Sequence, residues 1–358
     1  MRATLVSALI AVCAAREAAA APASREDVAR YFEGWFSLCP GTKVTVTAAP
    51  EIRLEGYQSF RVERSCDLKN RNELSVTLVD TARNEVFVGE VLHDDSRKGR
   101  PFDAARDLPV LEGALQDVYG LPVKMQVAGD ARGPLRPVRA GIRQAEGVIA
   151  IRRGFVSEDG ATLLLGEFQP LGVAPAERRQ QMLAESPGVR PSKAAYFVTA
   201  FIDLQCERCR VRTPQLRDFA FTHGGGGIEV RFLPLVKIHE WSFAGAETAA
   251  ALANVSPALY DTYERTLFPK ASSMTPEAAR QLGADVAEAA GVAKAYQAEL
   301  SSGRARERVV RDIELAMRLG LNGTPAFFDA GVFLTSEPEL AEKEIEERIA
   351  GAGKTGGS

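Results

Sequence analysis

Phe201-Ile202-Asp203-Leu204-Gln205-Cys206-Glu207-Arg208-Cys209 is the stretch whose reading decides the fold. It closes an apolar run, Ala194 to Ile202, of the kind expected for a strand covered on both faces. It opens a segment that reads as a helix from Cys206 to about Thr222. A Cys-x-x-Cys pair at such a junction has a physical rationale. The spacing brings both sulfurs within one helical turn. The unpaired N–H groups and the dipole at the helix start favour an anion on the first of them. The thiolate is the reactive form of cysteine. Cys206 is therefore the expected attacking thiol, and Cys209, one turn further in, the expected resolving thiol. Between them, Arg208 is expected to favour the Cys206 thiolate and Glu207 to oppose it, so the direction of electron flow stays open. A zinc half-site is disfavoured, because structural zinc takes four ligands and only His93, His223 and His239 accompany the cysteines. A purely structural disulfide is the other alternative.

Further along, Gly224 to Gly227 turn the chain and Ile228 to Val236 reads as a second strand, which makes a βαβ unit. Residues 241–319 read almost wholly as helices, too many for one crossover, and are expected to form an insertion beside the sheet. Phe327 to Phe333 reads as a hairpin and Pro338 to Ile349 as a last amphipathic helix. Gly323-Thr324-Pro325 stands at the head of that hairpin. Proline fits a strand start, and a Thr-Pro bond in a tight turn is a candidate cis peptide that leaves the Thr324 backbone free to pair with a bound peptide.

Together these segments resemble the thioredoxin superfamily in its DsbA/DsbC-like branch. The matching stretches are Phe201 to Cys209 and Leu319-Gly320-Leu321-Asn322-Gly323-Thr324-Pro325-Ala326-Phe327-Phe328, with helices between them. The resemblance covers residues 193–350. It implies a thioredoxin fold with an inserted helical subdomain, Cys206 as nucleophile, Cys209 as its partner, Pro325 as a cis-proline facing them and Thr324 as a contact to substrate backbone. Glu-Arg between the cysteines departs from the Pro-His or Gly-Tyr common in that branch.

The N-terminal half, residues 24–172, reads as an α+β region. Ser24 and Asp27 form a capping box for a helix carrying Val28, Tyr31, Phe32, Trp35 and Phe36, most simply one buried face and alternatively a peptide-binding surface. Strands are expected at Lys43–Thr47, Leu74–Val79, Val86–Val91 and Val123–Val127, with a helix at Leu108–Tyr119. Residues 129–147, rich in Gly, Pro and Arg, read as a connection. Val148–Val156 and Ala161–Phe168 read as a hairpin, and its part from Phe155 to Phe168, with the Ser157-Glu158-Asp159-Gly160 turn, resembles the N-terminal domain of DsbC- and DsbG-type isomerases. That resemblance implies homodimerisation as one option. Val86-Phe87-Val88-Gly89-Glu90-Val91 echoes Leu163-Leu164-Leu165-Gly166-Glu167-Phe168, but two short matches do not establish a repeat, and similar packing of two hairpins explains them more simply. A charged linker helix, within residues 173–192, precedes a domain boundary near residue 190.

Composition narrows the class. The 358 residues suggest two or three domains, and a net charge of −3 gives no basic field for nucleic acid. No apolar run reaches the roughly 20 residues of a membrane span. Residues 1–23 read as a signal peptide: Arg2, an apolar stretch, then small residues with cleavage patterns ending at Ala20, Ala21 or Ala23. Cys13 is a poor lipidation site. The remaining Cys39, Cys66, Cys206 and Cys209 suit an oxidising compartment such as the periplasm. Cys39 and Cys66 are expected to form a structural disulfide worth ~3–4 kcal/mol. His239 is expected to pack at a helix start rather than relay protons, and Arg304, Arg306, Arg308 and Arg311 to form a solvated helix face. Residues 351–358 are expected to be a disordered tail. The sequence thus points to an exported thiol-disulfide oxidoreductase that needs no cofactor or metal, with cysteine-bearing client proteins and a redox partner to recycle it. A non-catalytic peptide-binding or chaperone module on the same fold is the alternative.

Overall fold

The first helix, α1 (Arg25–Trp35), begins as its capping box dictates, with Asp27 N donating to Ser24 Oγ at 3.1 Å and Ser24 N to Asp27 Oδ2 at 3.0 Å. Its buried face is Val28, Tyr31, Phe32 and Trp35. These details come from a computed structural model that describes residues 23–35, 42–66, 71–144, 147–334 and 342–347. Residues 1–22 of the expected signal peptide, Cys13 among them, and Phe36, Cys39 and the C-terminal tail lie outside the described residues.

After α1 the chain builds β1 (Lys43–Ala48), β2 (Tyr57–Cys66), β3 (Arg71–Asp80) and β4 (Glu85–His93). A helix, α2 (Ala104–Tyr119), follows. It is capped by Asp103, which accepts from Arg106 N, and stopped by Gly120 in the left-handed conformation at φ 66°. Then come β5 (Val123–Val127), β6 (Leu135–Gln144), β7 (Gly147–Ser157) and β8 (Thr162–Pro170). All eight strands join one antiparallel sheet in the order β1-β2-β3-β4-β8-β7-β6-β5. The segment expected as a connection, residues 129–147, is corrected here, because β6 occupies most of it. Leu135, Val138, Ala140 and Ile142 are buried along that strand while Arg136, Arg139 and Arg143 face out. The arginines and Pro137 masked this alternation in the sequence.

A second, four-stranded sheet has the order β10-β9-β11-β12. β9 (Phe197–Ile202) and β10 (Gly227–Phe232) are parallel, joined by the crossover helix α4 (Glu207–Thr222). β11 (Ala326–Asp329) runs antiparallel to β9 and pairs with β12 (Val332–Leu334). Between β10 and β11 lie α5 (Ser242–Val255), α6 (Pro257–Leu267), α7 (Pro276–Ala289), α8 (Ala293–Ser301) and α9 (Arg304–Arg318). This is a thioredoxin-like fold with a helical insertion, preceded by an α+β region. β10 is buried along its whole length yet carries Glu229 and Arg231. The buried Arg231 guanidinium is neutralised by Glu229 at 3.0 Å and Asp312 at 3.4 Å, and Glu229 also holds Gly188 N at 3.1 Å.

The remaining helix, α3 (Pro175–Ala184), and α9 tie the two sheets together. α9 packs on β7 and β8. Arg318 on α9 reaches Glu167 of β8 at 2.9 Å and Glu185 at the end of α3 at 2.5 Å. Arg179 of α3 donates to the carbonyls of Gly331 and Gly34 at 2.6 and 3.0 Å, and to that of Trp35. The arginine stripe of α9 is a further correction. Arg306 pairs with Glu247 at 2.9 Å and Arg308 donates to Asn254 at 2.9 Å, so these two side chains dock α9 onto α5 instead of facing solvent.

Candidate redox site

Cys206 is the N-cap of α4, with φ −66° and ψ 119°, and its side chain makes no conventional capping hydrogen bond. Its sulfur sits where a capping oxygen would, at the mouth of the first turn. The Cys209 thiol and the backbone N–H of Cys209 lower its pKa to about 5, helped by Thr324 and the Arg208 N–H and opposed by partial burial. Cys209 is fully buried, and burial is the first cause that pushes its pKa well up, the neighbouring Cys206 the second. Asp203 N donates to Cys209 Sγ at 3.5 Å. Both cysteines are free thiols. One turn of helix thus separates a thiol that ionises readily from one that holds its proton.

Glu207 and Arg208 are exposed, and neither side-chain charge figures among the leading causes acting on Cys206. The opposing charges expected to tune the pair point into water, where screening weakens them. The tuning comes instead from backbone N–H groups and the partner thiol.

The Thr324–Pro325 peptide is cis, and the Cys206 thiol donates to the Thr324 carbonyl at 3.6 Å. β11 begins directly after Pro325 and pairs with β9, with Ala326 opposite Phe201. The fold therefore brings together Cys206, Cys209, Thr324 and Pro325 from segments over a hundred residues apart. Thr324 lowers both pKa values, and its buried hydroxyl has no hydrogen-bond partner among the described residues. Cys66 is disulfide-bonded, but its expected partner Cys39 lies outside the described residues.

Two residues of the motif matter in a way the sequence reading did not anticipate. The Asp203 carboxylate is buried and accepts from Gln205 N at 2.8 Å, Leu235 N at 2.7 Å and the His239 ring at 2.7 Å. Gln205 Oε1 accepts from Trp241 N at 2.9 Å. Asp203 and Gln205 thereby fasten the segment that leads from β10 into α5 against the start of α4. His239 is part of this clamp, which gives its place at the head of α5 a specific partner. The only sequence signal was a charged residue ending a buried strand. Asp203→Asn sets an amide N–H₂ against a backbone donor. It is expected to lower stability by about 1–3 kcal/mol, read as a fall in the denaturation midpoint. An unchanged midpoint would show that the clamp is not tight.

Beside the Thr324 loop a cleft of about 400 Å³ opens between the two sheets, lined among others by Tyr119, Ile149, Leu233, Val236, Met317 and Leu321. No helix among the described residues is long and apolar enough to cross a membrane.

A βαβ core with a dithiol capping its crossover helix, faced by a cis-proline loop, defines the class of thioredoxin-fold redox domains. Residues 191–347 match the family model described as thioredoxin, and this region of the chain is a thioredoxin-superfamily domain. Similar solved structures include the thiol-disulfide exchange protein alpha-DsbA2 from Wolbachia pipientis, with 12% identity and a TM-score of 0.39 over 50% of this chain and 98% of that one. The catalytic domain of Proteus mirabilis ScsC has 20% identity and a TM-score of 0.38 over 48% and 98%. Oxidised BdbD from Bacillus subtilis has 16% identity and a TM-score of 0.36 over 46% and 96%. No curated protein matches the chain.

Proposed function

We propose that this protein is an exported thiol-disulfide oxidoreductase that oxidises cysteine pairs in client proteins. The observation that carries the reading is the inequality of the two thiols, with Cys206 held down to about 5 and Cys209 pushed up. In the working direction the Cys206–Cys209 bond is oxidised at the start. A client thiolate attacks Cys206 Sγ, and a mixed disulfide forms. The Cys206–Cys209 bond breaks and Cys209 leaves with the electron pair, then takes up a proton, as its raised pKa favours. A second client thiolate attacks the client sulfur and expels Cys206 as a stable thiolate. The client has lost two electrons and two protons, and the enzyme dithiol has gained two electrons. A separate redox partner must reoxidise it.

A low thiol pKa makes Cys206 a good leaving group and stabilises the reduced enzyme, which makes the disulfide oxidising. Thr324 would pair with client backbone, as the resemblance implies, and the adjoining apolar cleft would receive side chains flanking the client cysteine. The signal peptide read from the sequence and the oxidising chemistry agree on an exported, periplasmic setting.

The test is the equilibrium potential of the Cys206–Cys209 pair against glutathione, together with client trapping. A potential nearer the ~−120 mV of a strong oxidant than the ~−270 mV of a reductase is expected. The reverse result would assign the site to reduction. Cys209→Ala should accumulate mixed disulfides through Cys206. If none accumulate on incubation with reduced, unfolded substrate, Cys206 is not the sulfur that clients meet.

A further inference from the structure

We propose that residues 24–172 are two copies of one αββββ module, and that the β4–β8 junction is a module-to-module interface filled from within the chain. The β4–β8 seam is therefore completed within one chain and needs no second molecule to fill it.

The element order states the first part. α1 is followed by β1 to β4, and α2 by β5 to β8. The sheet order β1-β2-β3-β4-β8-β7-β6-β5 is the same four-strand arrangement read outward in both directions from a central seam. The hairpins that flank the seam share their register, with Val79 opposite Val86 in the first and Val156 opposite Leu163 in the second. α1 packs on β1, and α2 on β5.

The seam is self-complementary. Gly89 pairs with Gly166, which lies 77 residues later at the matching place in the echoed sequences. Around that centre Val88 pairs with Glu167, the counterpart of Glu90, and Glu90 pairs with Leu165, the counterpart of Val88. That reciprocity is what a two-fold interface between identical subunits produces. Both glycines carry the same backbone, φ 155° and 158°. A Cβ at Gly89 would lie 2.2 Å from Leu165 O, and one at Gly166 would lie 2.1 Å from Val88 O. The echo in the sequence is thus one steric requirement met twice, not similar packing of unrelated hairpins.

Burial follows the same pairing. Val79 and Val156, Val86 and Leu163, and Val88 and Leu165 all enter the large core. Their alternates, Leu78 and Phe155, Phe87 and Leu164, and Val91 and Phe168, all enter a separate small core on the other face. That small core draws on both modules, and the Phe87 and Phe168 rings meet across the seam at 5.3 Å.

The test uses the full chain. His93 and Thr162 are seam partners whose side chains touch at 2.9 Å, close enough for cysteines there to bond. In a Cys206→Ser/Cys209→Ser background, oxidised His93→Cys/Thr162→Cys protein is expected to give a link between positions 93 and 162 within one chain. It should run as a monomer on non-reducing gels and be mapped by peptide mass. Links joining two chains, or no link in a variant that melts cooperatively like its parent, would each overturn the proposal.

Discussion

Cys206→Ser is expected to abolish insulin reduction and client oxidation, with a loss on the order of 10³-fold or more, as for removal of a catalytic nucleophile. A serine hydroxyl at the same helix cap cannot form a mixed disulfide. The same sulfur fixes the pH behaviour. With a pKa lowered to about 5, Cys206 is almost wholly thiolate at neutral pH, so its alkylation rate should rise through a single step near pH 5 and then stay flat. Cys209, buried and pushed up, should resist alkylation until the protein unfolds. The stability of the reduced form follows with a definite sign. Between about pH 5 and the ordinary thiol range near 9, the folded chain has released a proton that the unfolded chain retains. Stability therefore rises with pH across that window and is lost as pH falls through 5. The oxidised form lacks this titration, so the gap between reduced and oxidised melting temperatures should shift in favour of the reduced form as pH rises. An alkylation step near pH 9 would remove the basis for an oxidising assignment.

Gly166→Val is expected to destabilise the eight-stranded sheet by about 3 kcal/mol or more, since it combines backbone strain with a steric clash. The added Cβ would fall 2.1 Å from Val88 O and 2.8 Å from Gly89 Cα, backbone atoms of the neighbouring strand that cannot swing aside. Gly89→Val should behave alike, because it meets Leu165 O from the other side of the seam. Gly113→Ala is the control. It lies in α2 with nothing within 4 Å of its added Cβ, and should stabilise by up to ~1 kcal/mol. Urea denaturation reads all three. Equal midpoints for Gly166→Val and the parent would show that the strands do not cross as closely as described.

Local signals sufficed for the redox half of the molecule. The apolar run ending at Ile202, the cysteine spacing and the Thr324-Pro325 turn each have a chemical meaning carried by adjacent residues, and they located both thiols and the loop that faces them. The residues that tune the thiols were harder to see. Glu207 and Arg208 looked decisive because they adjoin the cysteines in sequence, yet their charges end in water while backbone N–H groups reach the sulfur. Asp203 and Gln205 gave no sign of their clamp, since their partners Leu235, His239 and Trp241 lie more than thirty residues away.

By itself the sequence determined that a dithiol would cap a helix at the end of a buried strand, because propensity, apolar periodicity and cysteine spacing act over a few residues. Only the tertiary structure decided how unequal the two thiols are, because burial and hydrogen bonding depend on what packs over each sulfur. The tertiary structure alone also showed that Gly89 and Gly166 are partners. Strand pairing is a long-range choice, and a six-residue echo becomes a repeat only when its two copies meet across one seam.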